Sequence, residues 1–150
     1  MKIYTIKDLE TFERDENGRL ICPSGDYSAI RSFGERCSFG ACCSFGKCCS
    51  FGKWCSFGDS CSFDERCLLE NHHHFENIAE EVDRVVKIDR IGSRKGCTYF
   101  FKTLSEIYVR CGCFFGTLGE FEEQVNKTHK DNEQYRTEYL EAIKYIKAIM

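Results

Sequence analysis

Aromatic and polar positions keep a six-residue period through the middle of the chain. The words FGERCS, FGACCS, FGKCCS, FGKWCS, FGDSCS and FDERCL open at Phe33, Phe39, Phe45, Phe51, Phe57 and Phe63. Ile21 and Tyr27 fall on the same phase upstream, and Leu69 and Phe75 downstream. An α-helix cannot use this pattern, because six residues turn it by about 600° and the apolar side chains would walk around the cylinder. A strand-and-corner winding can. Each word then supplies one short strand and one corner, and like residues stack from coil to coil as a parallel β-solenoid. The phase predicts the six phenylalanines inside, with the fifth-place cysteines Cys37, Cys43, Cys49, Cys55, Cys61 and Cys67 as small inward partners beside them. The serines between them face outward. Glycines at the second place suggest corners of positive φ, where glycine alone carries no steric cost.

An open winding exposes unpaired strand edges at both ends, so covers are expected. Residues 1 to 20 read as an N-terminal cap: KIYT as a strand, IKDLETF as a helical turn and DENG as a tight turn before RLIC. Residues 21 to 80 form the repeat. From 81 to 150 the texture changes to a small β-β-β-α-α unit, with strands at 84 to 91, 97 to 103 and 107 to 114. Thr117 and Glu120 make a capping box for a helix lined by Leu118, Phe121 and Val125. Tyr135, Tyr139, Leu140, Ile143, Ile146 and Ile149 share one side of a final helix over 134 to 150. The fold class is mainly β with an α+β C-terminal unit.

The repeat resembles the left-handed parallel β-helix of hexapeptide-repeat proteins, with an inward apolar residue, a glycine or small acidic residue, two free places and a small residue. Phenylalanine in place of the usual Ile, Val or Leu is a departure. The resemblance implies a left-handed β-solenoid of three words per coil, pairing Cys37 with Cys55, Cys43 with Cys61 and Cys49 with Cys67. Together with RIGSRKGCTYFF, IYVRCGCFFGTLGEF and YLEAIK, the chain also resembles small proteins of gut Firmicutes and their phages. That likeness brings no activity, but it implies an accessory protein of a mobile element that acts by binding.

Composition changes this picture little. With 21 basic and 24 acidic residues in 150, the net charge is −3, which offers no field for nucleic acid or an anionic membrane. The N-terminus has no signal-peptide core and no run could span a bilayer, so a cytoplasmic protein with reduced thiols is expected despite twelve cysteines. Cys42 and Cys48 lie off the inward phase and are expected to be the most reactive thiols.

Candidate chemistry is sparse. His72, His73 and His74 invite a metal, yet successive residues of an extended chain point to opposite faces. Cys111 and Cys113 on one predicted strand would share a face, with Cys97 and His129 as further zinc ligands, although the spacing fits no strong zinc pattern. Neither group is assigned a metal, and no cofactor is expected. Arg94 and Lys95, with Arg84, Lys87 and Arg90 around the GSRKG turn, form a basic cluster suited to an acidic contact. Trp54 is an indole at an outward corner, the kind of residue that anchors protein interfaces. The mixed charges of the other corners argue against a DNA mimic.

The function expected is a noncatalytic protein-binding module that blocks a host or defence protein through Trp54, Arg94 and Lys95. Two alternatives are a hexapeptide-type acyltransferase and small-ligand sequestration at the junction of repeat and tail. The sequence names neither the partner nor the oligomeric state.

Overall fold

The computed structural model describes the whole chain except Glu65, Leu68, Glu70, Asn71, Ser93, Arg94 and Lys95. It is mainly β, with helices concentrated at the C-terminal end. Two compact units follow one another, Met1–Arg84 and Val85–Met150.

In the first unit the six-residue words leave room for strands of only two or three residues. These are β1 (Leu20–Cys22), β2 (Ser32–Phe33), β3 (Cys37–Phe39), β4 (Ser44–Phe45), β5 (Ser50–Phe51), β6 (Ser56–Phe57), β7 (Ser62–Phe63) and β8 (His74–Phe75). They pair in parallel as three ladders, β1-β3-β6-β8, β2-β5 and β4-β7. Phe33 lies opposite Phe51, Phe39 opposite Phe57, Phe45 opposite Phe63 and Phe57 opposite Phe75. Every third word therefore returns to the same ladder.

The register stacks identical rings. Phe33 and Phe51 are 5.0 Å apart and 7° from parallel, Phe39 and Phe57 5.3 Å and 10°, and Phe45 and Phe63 5.1 Å and 10°. Rings of successive words meet edge to face, as Phe33 with Phe39 at 89° and Phe39 with Phe45 at 86°. This combination fits three phenylalanines into each turn, because both arrangements suit the aromatic quadrupole. All six word-opening phenylalanines are at most 3% exposed.

One inward position is occupied differently from the sequence pattern. Ile21 is 44% exposed and Cys22 is buried. The cause is register: Cys22 lies opposite Phe39, seventeen residues on, whereas later rungs are eighteen apart. A one-residue slip moves side chains to the other face.

The glycines also need a different explanation. Positive φ falls two places later, on Arg36, Cys42, Cys48, Trp54, Ser60, Arg66 and His72. Backbone hydrogen bonds tie these corners to the next coil, including Arg36 N–H to the Lys53 carbonyl at 2.9 Å and Cys42 N–H to the Asp59 carbonyl at 2.8 Å. Glycine is required instead by close approach. A Cβ on Gly52 would lie 2.4 Å from the Glu35 nitrogen, whereas one on Gly34 would meet nothing within 4 Å. Gly52→Ala should therefore cost about 1–3 kcal/mol, the range for overpacking, while Gly34→Ala should be neutral or slightly stabilising. Urea midpoints of the two variants check this; equal losses would contradict the close-approach account.

Flanking residues pack at each end of the ladders. At the front, Tyr4 stacks on Tyr27 at 5.0 Å, Tyr27 stacks on Phe45 at 5.8 Å, and Phe12 meets Tyr4 edge-on. Between these, α1 (Ile6–Leu9) is capped by Thr5 and Asp8. At the back the chain reverses, and His73 and Val82 exchange backbone hydrogen bonds of 3.0 and 2.7 Å. Glu76 accepts the Asp59 N–H at 2.7 Å, satisfying a donor near that end.

The second unit is a four-stranded sheet of order β12-β11-β10-β9, formed by β9 (Arg84–Ile91), β10 (Gly96–Lys102), β11 (Ile107–Cys111) and β12 (Phe114–Thr117). The predicted single strand over 107 to 114 is thus split. Gly112, at φ +58°, turns the chain so that Arg110 faces Phe115 in an antiparallel hairpin. Helices α2 (Leu118–Thr128) and α3 (Glu133–Ile149) bury Phe121, Val125, Tyr139, Ile143 and Ile146 with Phe100 and Val109 of the sheet. Thr117 accepts the Glu120 N–H and Glu120 accepts the Thr117 N–H, so the capping box starts α2. No helix among the described residues is long and apolar enough to cross a membrane.

Candidate functional site

Residues eighteen apart share a corner as well as a ladder, which places Arg36 and Trp54 in successive coils. The Arg36 guanidinium lies over the indole, 5.4 Å from its centroid. Trp54 remains 40% exposed. The N-terminal turn completes the surroundings. Asp15 Oδ1 accepts the backbone N–H groups of Asn17 and Arg19, each at 2.9 Å, and directs the chain back toward the corner. Arg19 Nη1 then donates to the Trp54 carbonyl at 3.1 Å and to Ser56 Oγ at 2.8 Å. Asn17, Arg19, Arg36 and Trp54 line a hollow of about 350 Å³. Its chemistry is one aromatic face and two guanidinium groups. Arg36 also borders a second hollow of about 400 Å³ that includes Leu9, Arg14, Leu20 and Glu35.

Sequence reading singled out Trp54 but missed Arg19, which lies thirty-five positions away and carries no local signal of the contact. Arg36 could have been found by adding one eighteen-residue period. Arg94 and Lys95 lie outside the described residues.

The histidine run does not converge. His72 faces Asp83 at 3.1 Å and Glu81 at 3.6 Å, His74 is exposed, and His73 is fully buried. His73 stands eighteen residues after Cys55, so it continues an inward cysteine column with a larger, polar ring. Among the described residues neither ring nitrogen has a partner in good hydrogen-bond geometry. Burial pushes its pKa down to about 4, with the Cys55 backbone opposing only in part and His72 reinforcing the shift.

The inward thiols are satisfied by the backbone. Cys43, Cys49 and Cys55 donate to the carbonyls of Gly40, Gly46 and Gly52 at 3.2, 3.0 and 3.3 Å, and Cys61 and Cys67 reach Gly40 and Gly46 of the preceding coil. Hydrogen bonding to Cys37, followed by burial, pushes the Cys55 thiol up, and Cys67 with burial does the same to Cys49. None of the twelve cysteines is in a disulfide. Cys42 and Cys48 are exposed at the corners. Alkylation of the native protein followed by mass spectrometry should label these two ahead of Cys43, Cys49, Cys55 and Cys61; uniform labelling would contradict the burial.

Cys111 and Cys113 do not share a strand face, because the Gly112 turn separates them. Cys97 belongs to the opposite face from Cys111: Thr98 is the residue paired with Cys111, and its hydroxyl donates to that sulfur at 3.4 Å. The Cys97 thiol is instead raised by burial and by hydrogen bonding to Asp89. Cys111, Cys113 and His129 do line a common cleft of about 310 Å³ with Phe114, Phe121 and Tyr139. His129 is stacked on Tyr139, 5.4 Å between centroids. Among the described residues no three His, Cys, Asp or Glu side chains are placed to hold a metal ion.

No protein-family model, curated protein or solved structure matches the chain.

Proposed function

We propose that the first unit is a left-handed β-solenoid serving as a rigid, noncatalytic protein-binding module, and that the corner at Trp54 is its contact surface. In this reading the protein is a cytoplasmic accessory of a phage or mobile element that blocks a host or defence protein. The observation that supports it best is Trp54 itself: a large amphipathic ring, partly open to solvent, on a backbone held by coil-to-coil hydrogen bonds and flanked by Arg19 and Arg36. A pre-ordered aromatic and arginine cluster loses little freedom on association, and such residues dominate binding energies. Arg94 and Lys95 are proposed as a second, electrostatic contact on the strength of their charge.

The test is capture of a partner from host lysate, followed by affinity measurement with variants. Trp54→Ala should weaken binding by about thirtyfold, the equivalent of about 2 kcal/mol, while the unfolding midpoint stays near that of the parent. Charge reversal at Arg94 and Lys95 should have a smaller effect that fades with salt. A partner that binds Trp54→Ala as tightly as the parent would place the contact surface elsewhere.

A further inference from the structure

We infer that the hollow between Arg19 and Arg36 is a carboxylate-binding site for an acidic peptide segment of the partner, with the Trp54 ring as its apolar wall. This rests on the protein-binding reading and adds the chemistry of what is bound.

The argument starts from charge. Arg19 and Arg36 line one hollow, and among the described residues neither guanidinium has a carboxylate partner. Asp15, the acidic residue that could have neutralised Arg19, accepts backbone N–H groups of its own turn instead. Among the described residues Arg19 is engaged through Nη1 alone, by the Trp54 carbonyl and Ser56 Oγ, so its position is fixed while donors of the guanidinium fork remain for a ligand. Arg36 is held over the indole face, a contact that among the described residues leaves its N–H donors open. Two positioned forks beside a hollow suit a planar carboxylate, which accepts paired N–H bonds.

The surroundings favour a peptide over an inorganic anion. Trp54 offers apolar area at the edge of the cationic site, and the second hollow bordered by Arg36 adds Leu9 and Leu20. A peptide with acidic and apolar residues in succession can occupy both, whereas phosphate would use only the guanidinium groups. A long polyanion is disfavoured by Glu35 beside Arg36 and by the chain's net charge of −3.

Trp54 is the chain's single tryptophan, so indole emission excited to the red of tyrosine absorption reports on this hollow alone. The acetylated peptide Leu-Glu-Asp-Glu-Leu, its neutral counterpart Leu-Gln-Asn-Gln-Leu, inorganic phosphate and an oligothymidylate are titrated in turn. The acidic peptide should give a saturable emission change and the neutral one none. Arg36→Gln should weaken the acidic peptide about tenfold or more, with partial recovery in Arg36→Lys, which keeps the charge and loses the fork. Among the described residues Arg36→Gln removes no side-chain hydrogen bond, so unlike Arg19→Gln it leaves the N-terminal turn in place. No saturable response at millimolar peptide, an equal response to the neutral peptide, or tighter binding of phosphate or oligothymidylate would overturn the inference. A captured protein partner that needs Trp54 but binds Arg36→Gln at full strength would also overturn it, and would leave the protein-binding reading standing.

Discussion

Phe45→Ala is expected to lower the unfolding free energy by about 3–5 kcal/mol, the range for emptying a buried aromatic site. Phe45 is 3% exposed and sits between parallel neighbours, Tyr27 at 5.8 Å and Phe63 at 5.1 Å. Phe33, Phe39, Phe51 and Phe57 close around it edge-on. Truncation removes the ring's transfer energy and leaves a cavity that the short strands cannot close, because each is tied into its ladder by register. It also removes aromatic pair terms of about 0.5–1.5 kcal/mol each. Urea unfolding measures the loss; a value below about 1 kcal/mol would mean that the ring contributes little to the core.

The second large effect is on acid stability and comes from His73. Its folded pKa is about 4 against an ordinary value of 6.5. As pH falls, the unfolded chain takes up the proton first. Stability is therefore unaffected by this group above about pH 6.5, falls between there and pH 4, and levels off below. The loss over that window is about 3 kcal/mol, from about 1.4 kcal/mol for each tenfold difference in proton affinity. His73→Leu should remove this part of the pH dependence and stabilise the protein at neutral pH by about 1–3 kcal/mol, since among the described residues the buried ring has no partner in good hydrogen-bond geometry to lose. Unfolding midpoints of both proteins from pH 7 to pH 4 decide the matter. Parallel profiles would show that the ring is accessible or partnered in solution.

The sequence made the mainly β character and the inward phenylalanines legible because six near-identical words repeat one apolar place, and no helix tolerates that period. It was less informative where the repeat meets its flanks. Ile21 keeps the phase in sequence but not in space, since the step from β1 to β3 is one residue short and Cys22 takes the inward place. The glycines were visible and their reason was not: period alone does not distinguish a positive-φ corner from a coil approaching too closely for a Cβ. In the second unit, an apolar run concealed the Gly112 turn and merged two strands. At the candidate site, Trp54 stands out by type and Arg36 follows from the period. Arg19 was beyond reach because only the three-dimensional path of the N-terminal turn brings it there. His73 could have been recognised as the next member of the cysteine column by counting eighteen from Cys55.

The stacking of residues eighteen apart underlies the core, the glycine requirement and the Arg36–Trp54 corner alike. Nuclear Overhauser contacts between assigned phenylalanine rings test it most directly. The account predicts strong ring-to-ring contacts for Phe33 with Phe51, Phe39 with Phe57 and Phe45 with Phe63, whose centroids lie 5.0, 5.3 and 5.1 Å apart. Absence of these three contacts in the folded protein, or their replacement by a different sequence spacing, would contradict it.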